Sequence, residues 1–237
     1  MFSDPISHAI DDYLLGVRGQ EITVHCDLAE DDIMEVDYFF REDNDLPFPE
    51  KLALKRCGKR VLDVGACAGA HTIPLKQKGH QVTALDISKG AVDYLKDQGI
   101  DAQRTSFLAY DEAPFDTLLF LMNGIGIAGK LNQLDTFLEH CSSLLALGGN
   151  ILCDSTDVRY FYEDDEGAVW MDLNASYYGE FAFQMEYKTT KGEWFNWLYL
   201  DPETLEKHAV ANGFKFELLH QEGAEFLAEL KKETTMK

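Results

Sequence analysis

The 237-residue sequence predicts an α/β fold, with helices wound on both faces of a largely parallel sheet. Three observations predict it. From Lys59 onward, short apolar segments alternate with helical ones at the spacing of βαβ units. The stretch Arg60-Val-Leu-Asp-Val-Gly-Ala-Cys-Ala-Gly-Ala-His71 reads as strand, glycine-bearing turn and helix. A second strand, Gln81-Val-Thr-Ala-Leu-Asp86, ends in an acid.

Each element follows from local pattern. Residues 1–58 form a mixed segment expected to pack on the core. It holds an amphipathic helix over Ile6–Leu15 and a short strand over Ile22–His25. The acidic, aromatic run Asp37–Asp45 follows, then a break at Leu46-Pro-Phe-Pro49 and a helix over Glu50–Cys57. Residues 59–237 form the main domain. Its strands are Arg60–Val64, Gln81–Leu85, a weak Ala102–Thr105, Phe115–Met122 and Asn150–Asp154. The helices between them are His71–Lys78, Ala91–Gln98 and a long Leu131–Leu147 ended by Gly148-Gly149. Pro74 is tolerable only in a first helical turn. Right-handed crossovers then place helices on both faces. Further on, Phe181–Lys188 and Glu193–Leu200 read as an antiparallel hairpin around Thr189-Thr-Lys-Gly192, part of an insertion or cap at about 158–200. Helix Pro202–Ala211, stopped by Asn212-Gly213, and strands Phe214–His220 and Ala224–Lys231 close the chain.

Composition narrows the function. The formal net charge is −21, whereas nucleic-acid binders need basic surface to displace counterions from phosphate; nucleic acid and membrane surfaces are disfavoured as partners. No run approaches the roughly 20 apolar residues of a membrane span. No basic segment followed by an apolar one marks a secretory signal. The five cysteines, Cys26, Cys57, Cys67, Cys141 and Cys153, form no CxxC pair and no zinc spacing. Reduced thiols in a cytoplasmic setting, and no metal, are expected.

The glycine loop is the most informative stretch. Gly65 and Gly69 let backbone approach a ligand where a Cβ would clash, and the helix that follows presents unpaired N–H groups. Asp63 stands at the end of the strand before the turn, where a carboxylate repels pyrophosphate and suits a cationic or amine-bearing ligand. Asp86 occupies the position that receives ribose hydroxyls in doubly wound sheets, and Ile87 beside it can cover an adenine face. These features describe a nucleoside site without a phosphate site.

Val61–Gly69 resembles the first motif of class I S-adenosylmethionine-dependent methyltransferases, a strand followed by D-x-G-x-G-x-G, with Cys67 in place of the middle glycine. Asp86 matches that family's ribose-binding acid, and Ser106-Phe107 falls where it contacts the adenine edge and face. Phe115-Asp116 with Leu118–Met122 matches its fourth strand, Leu147–Asp154 its fifth, and Phe214–Lys231 its closing antiparallel pair. The resemblance implies a seven-stranded sheet of order 3-2-1-4-5-7-6 with strand 7 antiparallel. It implies S-adenosyl-L-methionine held by Asp63, Gly65, Ala66, Cys67, Gly69, His71, Asp86, Ile87, Ser106, Phe107 and Asn123. It also implies methyl transfer to an O, N or S atom of a small molecule.

The catalytic candidates are Asn123, at the end of the fourth strand, and Asp154, at the end of the fifth, with Asp157 a further acid. An Asp of ordinary pKa is a weak base and needs burial to become a useful one. The family's amino-methylating branch follows its Asn or Asp with Pro-Pro and an aromatic; here Gly124-Ile-Gly126 follows, which speaks against base amines and glutamine amides as acceptors. Arg41, with Tyr38, is a candidate partner for the cofactor's carboxylate, although an edge strand or packing accounts for the stretch better. Tyr160, Phe161 and Tyr162 line a pocket or pack, and Trp170, Trp194 and Trp197 build a lid or bury an accessory sheet. The aromatic hairpin is compatible with a homodimer.

Three rivals remain. A nicotinamide-dependent oxidoreductase needs glycines at 65, 67 and 70, but the chain has Gly65, Cys67 and Ala70. A non-catalytic S-adenosylmethionine-binding module partnering another protein would keep the same loop. Aminopropyl transfer would need further acids around the amine.

Overall fold

The computed structural model describes residues 3–162 and 176–233. Helix α1 (Pro5–Leu14) is capped by Asp4, whose carboxylate accepts from the Ser7 N–H at 2.9 Å. Strands β1 (Glu21–Cys26) and β2 (Asp32–Glu35) follow, then a 3-10 turn over Val36–Phe40 and helix α2 (Phe48–Arg56). The prolines of the expected break start this helix: Pro47 is its N-cap and Pro49 lies in its first turn, where no amide partner is lost.

The main sheet begins at β3 (Arg60–Val64) and continues with α3 (Thr72–Gln77), β4 (Gln81–Asp86), α4 (Lys89–Asp97), β5 (Asp101–Arg104) and β6 (Phe115–Phe120). After a 3-10 turn over Gly124–Ala128 come α5 (Leu134–Leu144) and β7 (Leu145–Thr156). The long helix expected to reach Leu147 therefore stops at Leu144. Leu145 is buried in the core and pairs with Phe115, and Gly148, at φ +74°, bends the strand between them and the straight run from Asn150. A 3-10 turn over Val158–Tyr162 leads away from this sheet.

Strands β8 (Glu180–Tyr187), β9 (Thr190–Lys191) and β10 (Phe195–Leu198) contain the expected hairpin. Helix α6 (Pro202–Ala211) and strands β11 (Phe214–Glu222) and β12 (Glu225–Lys232) complete the chain. Among the described residues the main sheet has seven strands in the order β5-β4-β3-β6-β7-β12-β11, which is 3-2-1-4-5-7-6, with β12 antiparallel to both neighbours. Its central strands are buried on both faces: Val61 packs with Leu54, Leu75 and Leu152, while Leu62 and Val64 pack with Leu118, Phe137 and Ile151. That two-sided burial is why they read as unbroken apolar runs.

The hairpin does not stand alone. Strand β8 pairs antiparallel with β1 (Cys26 opposite Phe183), giving a second sheet of order β10-β8-β1-β2, with β9 paired to β8. The N-terminal segment and the insertion thus share one sheet. Its inner face packs Ile22, Met34, Met185 and Tyr187 against Cys67 and Ala68 of the glycine loop. At its other end Trp197 lies against Gly126, where an added Cβ would fall 2.2 Å from the indole nitrogen. Helix α1 ties the second sheet to the first. The Asp4 carboxylate also accepts from the Lys89 N–H at the start of α4, and Ser7 sits directly on Gly90.

Candidate active site

The carboxyl ends of β3, β4 and β6 bring the predicted loop and acids together. Gly65 and Gly69 both adopt left-handed backbone, at φ +75° and +84°. A Cβ on Gly69 would also meet the Leu95 side chain at 2.6 Å. The amides of Gly65 and Ala66 donate to the Leu85 carbonyl at 2.9 and 3.1 Å, which ties the loop to β4. Cys67 stands where the resembling motif has glycine and takes glycine's conformation, at φ +46°. A side chain there costs roughly 1–3 kcal/mol. Two contacts offset this: the Cys67 N–H donates to the Asp86 carboxylate at 2.8 Å, and the side chain packs into the apolar cluster under the second sheet.

Asp86 also accepts from the Ser88 N–H at 2.7 Å, so each of its oxygens holds one backbone donor and keeps a lone pair for another. Burial raises its pKa to about 6, although both N–H groups pull it down. Ile87 is 71% exposed beside it, an apolar surface left open at the strand end. Asp63 is buried and accepts from the Thr72 hydroxyl. Burial raises its pKa, against the nearby His71 and that hydroxyl.

Asn123 and Asp154 form one corner. Met122 and Asn123 are both left-handed, at φ +60° and +57°. Their successive amides donate to the two oxygens of Asp154 at 3.1 and 2.7 Å. The Asn123 side-chain oxygen accepts from the Thr156 hydroxyl at 2.9 Å. Asp154 is thus both the brace that holds the strained turn after β6 and a carboxyl with shifted acidity. Burial raises its pKa to about 7, aided by the charge of Glu50 and opposed by the two amides and His71. Burial therefore supplies the basicity that an ordinary Asp lacks.

A buried ionic triad adjoins this corner. His71 Nε2 lies 2.7 Å from Glu50 Oε2, and Arg41 Nη1 donates to Glu50 Oε1 at 3.1 Å. The Arg41 guanidinium lies 3.5 Å over the Tyr38 ring and reaches the Met122 sulfur. Burial alone would raise Glu50; the His71 hydrogen bond and charge, then Arg41, hold it below its ordinary value. Arg41, weighed as a partner for the cofactor's carboxylate against a packing role, has its charge answered by Glu50. Glu50 itself was not singled out from sequence, because nothing local distinguishes it from other surface-helix acids.

Some expected residues lie elsewhere. The Phe107 side chain is 3% exposed and packs edge-on to Phe120 and against Phe137 in the core. It is therefore a core side chain. Asp157 is paired with Arg159 and accepts from the Tyr178 hydroxyl. Trp194 is exposed, Trp197 joins the sheets, and Trp170 lies outside the described residues. Tyr187 and Lys191, which have the spacing of a short-chain dehydrogenase pair, sit on β8 and β9 across a turn. No group of three or more metal-ligating side chains occurs among the described residues, and no helix there is long and apolar enough to cross a membrane.

Known proteins resemble this chain in sequence and fold. Residues 61–149 match the family described as a methyltransferase domain. A curated ubiquinone biosynthesis O-methyltransferase from Caulobacter sp. (strain K31) is 32% identical over 101 residues, 39% of this chain and 38% of that protein. The chain thus aligns with well under half of that relative's length. The sugar N-methyltransferase KedS8 from Streptoalloteichus sp. ATCC 53650 superposes with a TM-score of 0.57 at 13% identity, over 85% of this chain and 94% of that one, a likeness of fold alone. A SAM-dependent methyltransferase from Bacteroides fragilis, crystallised with S-adenosyl-L-homocysteine, is 36% identical with a TM-score of 0.90, covering 98% of this chain and 96% of that one. With a likeness of that strength over nearly its whole length, and a seven-stranded sheet of order 3-2-1-4-5-7-6, the chain belongs to the class I S-adenosylmethionine-dependent methyltransferases.

Proposed function

We propose that this methyltransferase acts on an O, N or S atom of a small molecule bound between the two sheets. One observation carries the reading: the glycine loop, Asp86 and the Asn123–Asp154 corner share one edge of the main sheet, beneath the apolar face of the second. In this reading Asp86 receives the ribose hydroxyls and Ile87 covers the adenine. The Ser106–Phe107 backbone meets the adenine edge. The loop backbone at Gly65, Ala66, Cys67 and Gly69 lies along the thioether. Asp63 and His71 stand at the amino-acid end.

S-adenosylmethionine supplies a methyl group already activated by its positive sulfur. The protein's task is therefore to hold the acceptor in line at about 3 Å and keep water out. Asn123 orients the acceptor, and Asp154 takes a proton where the nucleophile arrives protonated. The Caulobacter relative is named for transfer to oxygen, one of these three acceptor atoms.

Calorimetric titration with S-adenosylmethionine and S-adenosylhomocysteine tests the cofactor half. Asp86→Ala should weaken binding at least tenfold, about 1.4 kcal/mol. Undiminished binding in this variant would remove Asp86 from the site, and no binding by the wild type would end the reading.

A further inference from the structure

Building on that reading, we propose that the acceptor is an alkyl or arylalkyl amine, received as its ammonium ion against the aromatic underside of the second sheet and deprotonated by Asp154.

The first observation is the wall. Strand alternation puts Val24 and Cys26 of β1, Phe181 and Phe183 of β8, and Phe195 and Trp197 of β10 on one face of the second sheet. Their rings form a continuous array. Phe181 and Phe183 stack at 5.9 Å, Phe183 and Phe195 lie 6.3 Å apart, and Phe195 meets Trp197 edge-on at 5.9 Å. Tyr199 stands edge-on to Phe181 and Phe183. Two ends anchor this wall at the methyl-transfer corner. Trp197 rests on Gly126, three residues after Asn123. Phe161, seven residues after Asp154, packs on Phe181 at 6.1 Å. Phe183, Phe195 and Trp197 are only half-buried, and Tyr160 and Phe161 are 49% and 53% exposed. Aromatic faces are left for a ligand.

The second observation is charge. Among the described residues, the guanidinium groups of this corner, Arg41 and Arg159, are each paired with a carboxylate, Glu50 and Asp157. Asp154 accepts only backbone N–H groups there. Burial raises the Tyr38 hydroxyl, Arg41 lowers it, and the charges of Glu50, Asp154 and Glu225 raise it further. Asp32 acts on Tyr199 in the same sense, behind burial and the neighbouring Tyr160 and Cys26. Aromatic faces attract a cation through their negative π-clouds, and the acids add to that field. Among the described residues, neither guanidinium of this corner is left unpaired for an anionic acceptor.

Proton transfer inside a buried ammonium–carboxylate pair removes two charges at once, which a water-poor site favours. The Asp154 carboxylate gains the proton, and the freed nitrogen lone pair forms the N–C bond. The sulfonium C–S bond breaks with its electron pair left on sulfur. The titratable side chains that act on Asp154 are Glu50, which raises its pKa, and His71, which lowers it.

The test uses the full chain loaded with S-adenosylhomocysteine and four probes of matched skeleton: 2-phenylethylammonium, its N-trimethyl derivative, 2-phenylethanol and 3-phenylpropionate. The ammonium probes should bind at least tenfold tighter than the alcohol, with the carboxylate weakest, and with S-adenosylmethionine the primary amine should gain one methyl by mass. Asp154→Asn should lower the ammonium preference at least fivefold while S-adenosylhomocysteine affinity stays within twofold. Phe183→Leu, which keeps an apolar side chain but removes the ring, should weaken ammonium binding more than alcohol binding. Equal or tighter binding of the alcohol or carboxylate, absence of ammonium binding to the loaded protein, or an unchanged preference in both variants overturns the proposal. Failure of S-adenosylhomocysteine to bind is seen first in the same titration; it refutes the underlying cofactor reading and takes this proposal with it.

Discussion

Replacing Gly126 by alanine should loosen the joint between the two sheets, because the new methyl has nowhere to go. Its Cβ would lie 2.2 Å from Trp197 Nε1 and 2.5 Å from Cδ1 and Cε2, all atoms of one rigid ring. Neither Gly126 nor Gly124 has a left-handed φ, so backbone strain does not enter. Overpacking of this kind costs roughly 1–3 kcal/mol, and the stiffer unfolded chain returns about 0.4–1 kcal/mol. A net loss of about 1–2 kcal/mol lowers Tm by roughly 2–8 °C for a chain of this size. Gly124→Ala is the control, since its nearest contact is an ordinary 3.4 Å to the Phe120 Cβ; its stability should stay within roughly 0.5 kcal/mol of wild type. In a Trp197→Ala background the clash has no partner, so the Gly126→Ala penalty should vanish and the cycle should show a coupling of about 1–2 kcal/mol. Thermal and urea unfolding of the four proteins measure this. A Gly126→Ala variant as stable as Gly124→Ala, or an equal loss with and without Trp197, would refute the contact.

Further expectations concern the buried charges. Glu50→Gln leaves Arg41 without a carboxylate and should cost roughly 3–5 kcal/mol, read by urea unfolding; Arg41→Met added to it should recover part of the loss, and a milder single variant would mean that the triad is wetter than its burial indicates. Asp154 in the folded chain holds its proton up to a pH of about 7, whereas an unfolded Asp releases it near pH 3.9. Between those values the folded state binds more protons, so the stability contributed by this group is present below about pH 4 and lost as pH rises to 7. Asn does not titrate; the Tm of Asp154→Asn minus that of wild type should therefore grow from pH 5 to pH 8, and a difference that does not change with pH would contradict the raised pKa.

The main sheet was legible because its signals are local. Strand Arg60–Val64 and helix Pro202–Ala211 have the limits expected of them, and the seven-strand order follows the resemblance. The helix limit at Leu147 was misread because Leu145-Ala-Leu147 continues an apolar run, and only its pairing with Phe115 makes it strand. The second sheet was half legible. Its hairpin has strand-forming residues and a turn, but nothing near Ile22–His25 announces a partner at Phe183–Glu186, because strand pairing across such a distance leaves no periodic mark in either segment. The site divides in the same way. Asp63, Gly65, Gly69 and Asp86 were singled out by spacing and lie together at the strand ends, whereas the Glu50–Arg41–His71 cluster, made of segments far apart in sequence, was not foreseen.

What the sequence determined by itself was the alternation of elements, the glycine turn with its two acids, and the acidic character of the whole chain, since each depends only on residue type and interval. What the tertiary structure decided was which acids are buried, which cations are already paired, and which face of the second sheet packs on the glycine loop and Gly126. Those depend on desolvation and on contacts between distant segments, and neither is a property of any stretch of sequence taken alone.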